Sequence, residues 1–326
     1  EDFQTVSFIS LDPPRHDIQR KSVTSVVAPM NLAKLEPVIR SRAIKILDEV
    51  PIGEEFDWVS QVSIELTTQM LATLFDFPFE DRSKLTYWSD MATSGELAGG
   101  PTPEPMRRAA LLECLEVFTT LWNERVHRDP TEANDLITMM AHNPNTQDMD
   151  PMEYLGNLIL LIVGGNDTTR NSISGGVYFL DQFPDQFAKV KKDLSLVPTM
   201  VPEIIRYQTP LAYMRRRATQ DYLIGGKNIK EGDKLAMWYV SGNRDDEVIE
   251  NPNEFIIDRN TPRHHLSFGF GIHRCMGNRL AEMQLRIVWE EILKRFKRIE
   301  VVREPGRTQS SFVKGYSDLQ VVVTAK

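Results

Sequence analysis

The amino-acid sequence predicts a mainly α-helical fold with a small β region. Two observations predict this fold class: apolar residues recur at helical spacing over several long segments, whereas strand-like stretches are few and short. Hydrophobic residues make up 41% of the 326 residues, which is enough for a substantial buried core. We find no internal repeat, low-complexity tract or linker in the sequence, so we expect residues 1–326 to form a single domain.

The individual elements follow from their periodicity and their end signals. A helix is predicted over residues 278–296, and its apolar stripe consists of Leu285, Trp289, Ile292 and Phe296. A longer helix is predicted over residues 152–182, after an Asp-Pro pair, with a weak point at its central Gly164-Gly165. Shorter helices are predicted over residues 31–47, 58–75 and 105–126, and strands over residues 223–224, 234–240 and 319–324.

Charge and cysteine content argue against several classes of protein. A net charge of −8 argues against nucleic-acid binding, which requires a basic surface. The two cysteines, Cys114 and Cys275, are too few for a disulfide framework, so we expect a reducing, cytoplasmic compartment. The longest strongly apolar run, residues 158–163, is too short to span a bilayer, so we expect no membrane anchor. The sequence starts without Met, and we expect it to begin inside a longer protein.

The segment over residues 268–277 carries the clearest chemical signal. Gly269 and Gly271 permit a tight turn whose backbone N–H groups can close around a sulfur atom. Cys275 then stands at the start of the predicted helix, where the helix dipole and Arg274 should lower the thiol pKa and favour metal ligation. A lone cysteine is more often a small buried apolar residue, but the surrounding glycines favour a ligand here.

This segment resembles the heme-ligand loop of the cytochrome P450 family. The family pattern is Phe-Gly-x-Gly-x-His/Arg-x-Cys-x-Gly, and Phe268, Gly269, Gly271 and Cys275 stand at its fixed positions. The resemblance implies a cytochrome P450 fold, heme b (iron protoporphyrin IX) as cofactor and Cys275 as the thiolate ligand of the iron. Cys114 lies on an apolar helical face without such a pattern, so we assign it no chemical role.

A second resemblance lies in Glu203 and Arg206, which are three residues apart and can form an ion pair on one helical face. Such a pair alone is commonplace. It resembles the Glu-x-x-Arg signature of the family, and Arg259 occupies the place of the arginine that completes that network. The resemblance implies a structural role for all three residues, which is to fix the loop that carries Cys275.

Residues 164–169 resemble the oxygen-activation motif of the family, Ala/Gly-Gly-x-Asp/Glu-Thr. The Thr168 hydroxyl can bond to the carbonyl of Gly164, four residues earlier, and thereby open the helix beside a cofactor. Asp167 would supply a proton carrier, and such acid–base relays contribute roughly 10²–10⁴-fold to rate. Without the cysteine loop, an exposed Asp on a core helix weakened by glycines would be the preferred interpretation.

Four cations could hold the two carboxylates of the heme. His16 and Arg20 lie four residues apart on one face of a helix that opens after Pro13-Pro14. The resemblance implies that this helix, together with Arg216 and His273, binds the heme propionates through charge-assisted hydrogen bonds. Taken singly, each would be an ordinary surface cation.

At a finer level, residues 164–171 and 265–275 look like the bacterial branch that hydroxylates the terminal carbons of alkanes. A primary C–H bond is stronger than the internal ones beside it, so terminal attack requires a narrow apolar channel. The candidate substrate-binding residues are Leu161, Gly164, Leu211, Ala212 and Met214. The resemblance implies O₂ as co-substrate and a separate iron–sulfur ferredoxin with its reductase as electron donor. No flavin or iron–sulfur motif is present in the sequence, so the reductant must be external.

The sequence also leaves alternatives open. Members of the family carry further elements before the segment at residues 12–14, and we expect this N-terminal segment to be lacking here. The protein could therefore be a non-catalytic heme-thiolate protein, or a monooxygenase for another hydrophobic molecule such as a fatty acid or terpene. A helical interaction protein without heme ranks last. Residues 261–300 carry eight Lys or Arg against four Asp or Glu, so we expect an acidic ferredoxin to dock near Cys275.

Overall fold

Helices dominate the computed structural model, which describes residues 3–131 and 135–326. The helices are α1 (Arg15–Thr24), α2 (Pro29–Glu49), α3 (Glu65–Phe75), α4 (Ser83–Thr93), α5 (Glu104–Arg125), α6 (Leu136–His142), α7 (Pro151–Gln182), α8 (Pro184–Lys192), α9 (Val197–Gln208), α10 (Tyr239–Gly242) and α11 (Asn278–Arg295). The predicted helices are confirmed to within two residues at each end, except that residues 58–75 form π-helical turns, Val59–Ile64, before α3 begins. Helices α4, α6 and α8 were not predicted from the sequence.

Helix α7 is the central element, and it packs against α3, α4, α5, α9 and α11. It begins where the Asp150 carboxylate accepts a hydrogen bond from the Met152 N–H, with Pro151 in the first turn. Towards its end, a side chain at Gly176 would collide with Trp289, 2.9 Å from its β-carbon, so α11 can approach closely. The helix stays continuous through Gly164-Gly165, since the packing on both sides outweighs the weak helical propensity of glycine.

Helix α11 joins α2 through both apolar packing and ion pairs. Its predicted stripe is confirmed, because Leu285, Trp289, Ile292 and Phe296 are all at most 2% exposed. Glu291, 2% exposed, accepts hydrogen bonds from Arg40 at 2.8 Å, Lys294 at 2.7 Å and Arg295 at 2.6 Å. This network ties the two helices together on one side of the core.

The strands form small antiparallel sheets at the periphery. They are β1 (Glu55–Asp57), β2 (Tyr213–Arg217), β3 (Tyr222–Ile224), β4 (Lys227–Ile229), β5 (Lys234–Trp238), β6 (Phe296–Val301), β7 (Gly306–Arg307), β8 (Tyr316–Asp318) and β9 (Gln320–Ala325). The sheets contain β1-β9-β6, β2-β5, β3-β4 and β7-β8. The predicted strand 234–240 ends at Trp238, because α10 begins at the next residue. Strand β2 was not predicted, since its run of three arginines hides any apolar alternation.

The buried apolar side chains of these helices and of the β1-β9-β6 sheet form one contiguous cluster. None of the described helices combines the length and the apolarity that crossing a membrane would require. The cluster leaves a large internal space between α7 and the loop that precedes α11.

Candidate active site

A cavity of about 500 Å³ lies between α7 and the loop that carries Cys275. Leu161, Gly164 and Thr168 of α7 line it, and so does Cys275. Its volume is in the range of small-molecule sites, and most of the side chains around it are apolar. The cysteine, the threonine and an apolar wall therefore border one cavity.

The cysteine loop has the tight turn that the glycines predict. Gly269 and Gly271 have φ values of 68° and 79°, in the left-handed region that favours glycine. The Gly269 N–H donates to Leu266 O at 2.8 Å, and the Cys275 N–H donates to Phe268 O at 2.8 Å. These bonds fold the loop back on itself and present Cys275 three residues before α11 begins.

The electrostatic environment of Cys275 corrects one prediction. Burial among protein atoms raises the pKa of the thiol, and the Gly277 N–H, Arg20 and Arg274 oppose that rise without overcoming it. The Cys275 residue is nevertheless exposed, because it borders the cavity. The expected lowering of the pKa is thus wrong for the protein alone, since the loss of hydration outweighs the nearby positive charge. Binding a metal would itself favour the thiolate.

Glu203, Arg206 and Arg259 form the ion-pair network that the sequence predicts. The side chain of Glu203 is 0% exposed; it accepts from Arg206 at 2.7 Å and from Arg259 at 3.0 Å. It also accepts from the Ile256 N–H at 2.8 Å. The two arginines also donate hydrogen bonds to backbone carbonyls of residues 243–254. The shared carboxylate and the backbone carbonyls satisfy both guanidinium groups, so these contacts offset the desolvation cost of burying the charges.

Asn243 connects this network to the cysteine loop, and sequence reasoning missed it. Its backbone carbonyl accepts from Arg206 at 2.8 Å. Its side chain, 0% exposed, donates to Ser267 Oγ at 2.9 Å and accepts from the Leu266 N–H at 2.6 Å. Ser267 and Leu266 directly precede the loop. No spacing or composition signal marks Asn243, which directly follows the short helix α10.

The predicted propionate-binding cations lie together at one side of the cavity. Arg20, Arg216 and His273 line it. His16 stands behind His273, with ring centroids 4.4 Å apart and edge to face. His16 is 1% exposed, and its Nδ1 bonds to the carboxylate of Asp17 at 2.7 Å. Neither His16 Nε2 nor His273 Nδ1 has a hydrogen-bond partner among the described residues, so two buried polar atoms face this region unsatisfied.

On α7, Thr168 and Asp167 differ from each other in orientation. The Thr168 hydroxyl donates to Gly164 O at 3.0 Å, as predicted, and its side chain lies on the cavity wall. Asp167 is 0% exposed and is not among the described residues that line the cavity. Its carboxylate lies 3.0 Å from Arg170, which in turn pairs with Asp90 of α4 at 2.6 Å. The carboxylate thus points towards α4, and the alternative of an exposed Asp is wrong.

Burial raises the pKa of the Asp167 carboxyl, although Arg170 opposes the rise. One of its oxygens has no hydrogen-bond partner in the part of the chain that the structure describes. Arg170, three residues further along α7, was not singled out from the sequence. A charged residue inside an otherwise apolar helix could have been read as a signal that it pairs with Asp167.

Of the predicted substrate-binding residues, four line the cavity and one does not. Leu161 and Gly164 belong to α7, Leu211 lies just before β2, and Met214 lies within β2. Ala212 is not among the described residues that line the cavity; its N–H donates to Phe312 O and its carbonyl accepts from Val240 N–H. Its prediction as a pocket residue is therefore not supported. Within the loop, Phe268 and Gly269 line the cavity, whereas Gly271 serves only the turn.

Comparison with known proteins identifies the class. The family model for cytochrome P450 matches residues 106–315. Linalool 8-monooxygenase from Pseudomonas putida is 38% identical over 327 residues, which cover 98% of this chain and 78% of that protein. The chain belongs to the cytochrome P450 family.

Two solved structures are similar to the whole chain. Cytochrome P450-153 from Novosphingobium aromaticivorans shares 46% identity with a TM-score of 0.90, over 98% of this chain and 78% of that one. CYP153D17 from Sphingomonas sp. PAMC 26605 shares 49% identity with a TM-score of 0.91, over 98% and 80%. The predicted fold class is confirmed, and the cofactor of this family is heme b.

The residues around the cavity fit that cofactor. Heme b is a flat molecule with an iron and two carboxylates, and the wall offers a thiol, two arginines and a histidine at one side. An added side chain at Gly164 or Gly277 would meet no protein atom within 4 Å, so these positions leave room along the wall. The unpartnered nitrogens of His16 and His273 are suited to carboxylate acceptors.

Proposed function

We propose that this cytochrome P450 monooxygenase hydroxylates linear alkanes or fatty chains at the terminal carbon, with O₂ and electrons from a ferredoxin. The observation that carries the proposal is the apolar cavity that Cys275 and Thr168 both face. The motifs at residues 164–171 and 265–275, which resemble the terminal alkane hydroxylases, support it further. The similarity to the two P450-153 structures agrees with this assignment.

In this proposal the cavity holds heme b with Cys275 as the iron ligand. Arg20, Arg216 and His273 bind the two carboxylates through charge-assisted hydrogen bonds, and His16 supports His273 from behind. Phe268 and the two turn glycines shape the wall beside the sulfur. When bound, the heme supplies the activation of O₂ and the insertion of one oxygen atom into a C–H bond. The protein supplies ligation, orientation and protons.

Thr168 and Asp167 are proposed to supply those protons. The Thr168 Oγ1 donates its own hydrogen to Gly164 O, so its lone pairs remain free to accept a proton donor at the cavity wall. Asp167, whose pKa is raised by burial, can hold a proton near neutral pH better than an exposed carboxyl. To pass it on, the carboxyl must turn away from Arg170 towards Thr168. A relay of this kind contributes roughly 10²–10⁴-fold to rate.

Terminal selectivity is proposed to come from the shape of the wall around Leu161, Leu211 and Met214. A narrow apolar passage can present one methyl group, and a few kcal/mol of positioning outweigh the intrinsic preference for weaker internal C–H bonds. Medium-length linear alkanes should therefore give mainly primary alcohols when turned over with a ferredoxin and its reductase. Predominantly internal alcohols, measured by gas chromatography, would contradict the proposal.

A pair of variants sharpens this experiment. Met214→Ala enlarges the wall, and we expect a larger fraction of internal alcohols because the chain is held less tightly. Ala212→Gly is the matched control, since Ala212 does not line the cavity among the described residues. A change of the same size in both variants would mean that the selectivity does not arise at this part of the wall.

A terpene is the second candidate substrate, and one observation favours it. The relative that is 38% identical is named for linalool, a terpene alcohol, rather than for an alkane. An apolar cavity accepts either compound. Titrating the protein with linalool and with a linear alkane of similar carbon number, and recording the substrate-induced shift of the heme absorbance, separates them. Tighter binding of linalool would favour the terpene proposal.

The electron donor is proposed to dock at the surface beside Cys275. Arg274, Arg279 and Lys21 form no salt bridge with a carboxylate in the described parts of the chain, so their charge is available to a partner. Arg15 lies on the same helix as Lys21, but it is paired with Glu153 at 2.5 Å, so its charge is already neutralised. An acidic ferredoxin would be steered to the remaining cations, and salt would screen that attraction.

This docking proposal is tested through the rate of first-electron transfer at increasing ionic strength. We expect the rate to fall with salt, and Arg279→Glu and Arg274→Glu to be slower at low salt. Lys227→Glu, on the exposed β3-β4 hairpin, is the control that changes charge by the same amount elsewhere. If the rate changes neither with ionic strength nor in the two arginine variants, the surface beside Cys275 is not the docking site.

A cytoplasmic location and a catalytic role complete the proposal. Cys114 and Cys275 are both free, in keeping with a reducing compartment. The alternative of a non-catalytic heme-thiolate protein is less favoured, because Thr168 reaches the cavity wall with its hydroxyl arranged as the motif predicts.

A further inference from the structure

Tyr239 lies on the cavity wall and has no role in the site described so far. It directly follows β5 and is the first residue of α10, and it is 3% exposed. Its backbone is fixed, because its carbonyl accepts from the Asn243 N–H at 2.9 Å. The residue is buried and forms part of the cavity lining.

The hydroxyl of Tyr239 lies beside the cysteine loop, and Arg216 lines the same cavity. A β-carbon at Gly269 would lie 3.0 Å from this hydroxyl, so the oxygen touches the first glycine of the turn. The strand β2, which bears Arg216, pairs with β5, which leads into Tyr239. Burial raises the pKa of the Tyr239 phenol, and the charge and a hydrogen bond of Arg216 oppose that rise. Arg216 and Tyr239 both line the cavity, so the guanidinium and the phenol border the same space.

We propose that Tyr239 is a further heme-binding residue, whose phenol O–H donates to the same heme carboxylate that Arg216 pairs with. Arg216 has donors only, and a phenol O–H can also donate, so both side chains can donate to the oxygens of one carboxylate. A buried phenol on a cavity wall normally finds such an acceptor. The inference rests on the proposed role of Arg216 at the carboxylates.

The test is the rate at which the holoprotein loses heme to an excess of a heme-scavenging apoprotein. Tyr239→Phe removes only the hydroxyl, and we expect loss to become about tenfold faster, as for one hydrogen bond to a charged group. Tyr154→Phe is the matched control: Tyr154 is 5% exposed and donates to Phe118 O at 3.3 Å, away from the described cavity wall. It should lose heme at the parent rate.

Arg216→Met, alone and combined with Tyr239→Phe, separates the proposed role of Tyr239 from that of Arg216. If both residues hold one carboxylate, the double variant should lose heme less rapidly than the product of the single effects predicts. A parent-like rate in Tyr239→Phe beside faster loss in Arg216→Met would overturn the role of Tyr239 alone. Parent-like rates in both would overturn the role of Arg216 as well.

A second comparison covers the case in which the Phe variant folds poorly. Tyr239→Gln keeps a donor, whereas Tyr239→Leu has none, so the Gln variant should retain heme longer. Equal rates of loss in these two variants would overturn the proposal. The thiolate-type spectrum of the reduced carbon monoxide complex should persist throughout, because Cys275 is unchanged.

Discussion

Asn243→Ala is expected to loosen the cysteine loop more than its effect on global stability would suggest. The substitution removes hydrogen bonds to Thr209 Oγ1 at 2.8 Å, to Ser267 Oγ at 2.9 Å and from the Leu266 N–H at 2.6 Å. Each such bond contributes about 0.5–1.5 kcal/mol, and the buried N–H of Leu266 is left without an acceptor. The expected loss in the free energy of unfolding is therefore about 2–4 kcal/mol.

Two measurements on the same holoprotein test this reasoning. Chemical denaturation followed by circular dichroism gives the global stability, and the carbon monoxide difference spectrum gives the fraction with thiolate ligation. In Asn243→Ala the thiolate spectrum should disappear at a denaturant concentration well below global unfolding. The reason is that the side chain at position 243 no longer holds Leu266 and Ser267, the two residues that directly precede Phe268.

Asn171→Ala is the matched control, because Asn171 is also a buried amide, 1% exposed. It accepts from the Tyr316 N–H at 3.0 Å, on α7 rather than at the cysteine loop. It should lower global stability while ligation and unfolding remain coincident. If the two variants behave alike, or if Asn243→Ala costs less than about 1 kcal/mol, the proposed link to the loop is refuted.

Three further outcomes are expected. Cys275→Ala should abolish the thiolate-type spectrum of the reduced carbon monoxide complex, and a spectrum that survives would remove the assigned ligand. Thr168→Ala should keep heme but consume reductant with release of hydrogen peroxide and little alcohol; an unchanged ratio of product to reductant would place the proton relay elsewhere. Burial alone would raise the pKa of Glu291, but hydrogen bonds from three cationic side chains outweigh it and lower that pKa to about 2. Its carboxylate should therefore contribute up to about 3 kcal/mol above pH 4.5, lost as the pH falls towards 2. Glu291→Gln should thus be less stable than the parent at pH 7 and nearly equal at the acid end, and a difference independent of pH would contradict this.

The long helices and the cysteine turn could be predicted because their signals are local. The stripe of α11 repeats every three or four residues, and the turn requires positive φ at Gly269 and Gly271. Strand β2 could not be predicted in the same way. Its arginines are placed by pairing with β5 and by the cavity, and that pairing is not visible in the local pattern.

In the candidate site, too, some features follow from local sequence and others depend on the tertiary structure. The sequence by itself predicted Cys275 as the iron ligand, and it determined the glycine turn and the Thr168 hydrogen bond, because these features depend on neighbours within a few positions along the chain. Only the tertiary structure decided that Asp167 faces α4, that Asn243 anchors the loop, and that burial outweighs positive charge at the thiol of Cys275. These properties depend on desolvation and on hydrogen bonds from segments remote in the chain, and such terms exist only once the chain has folded.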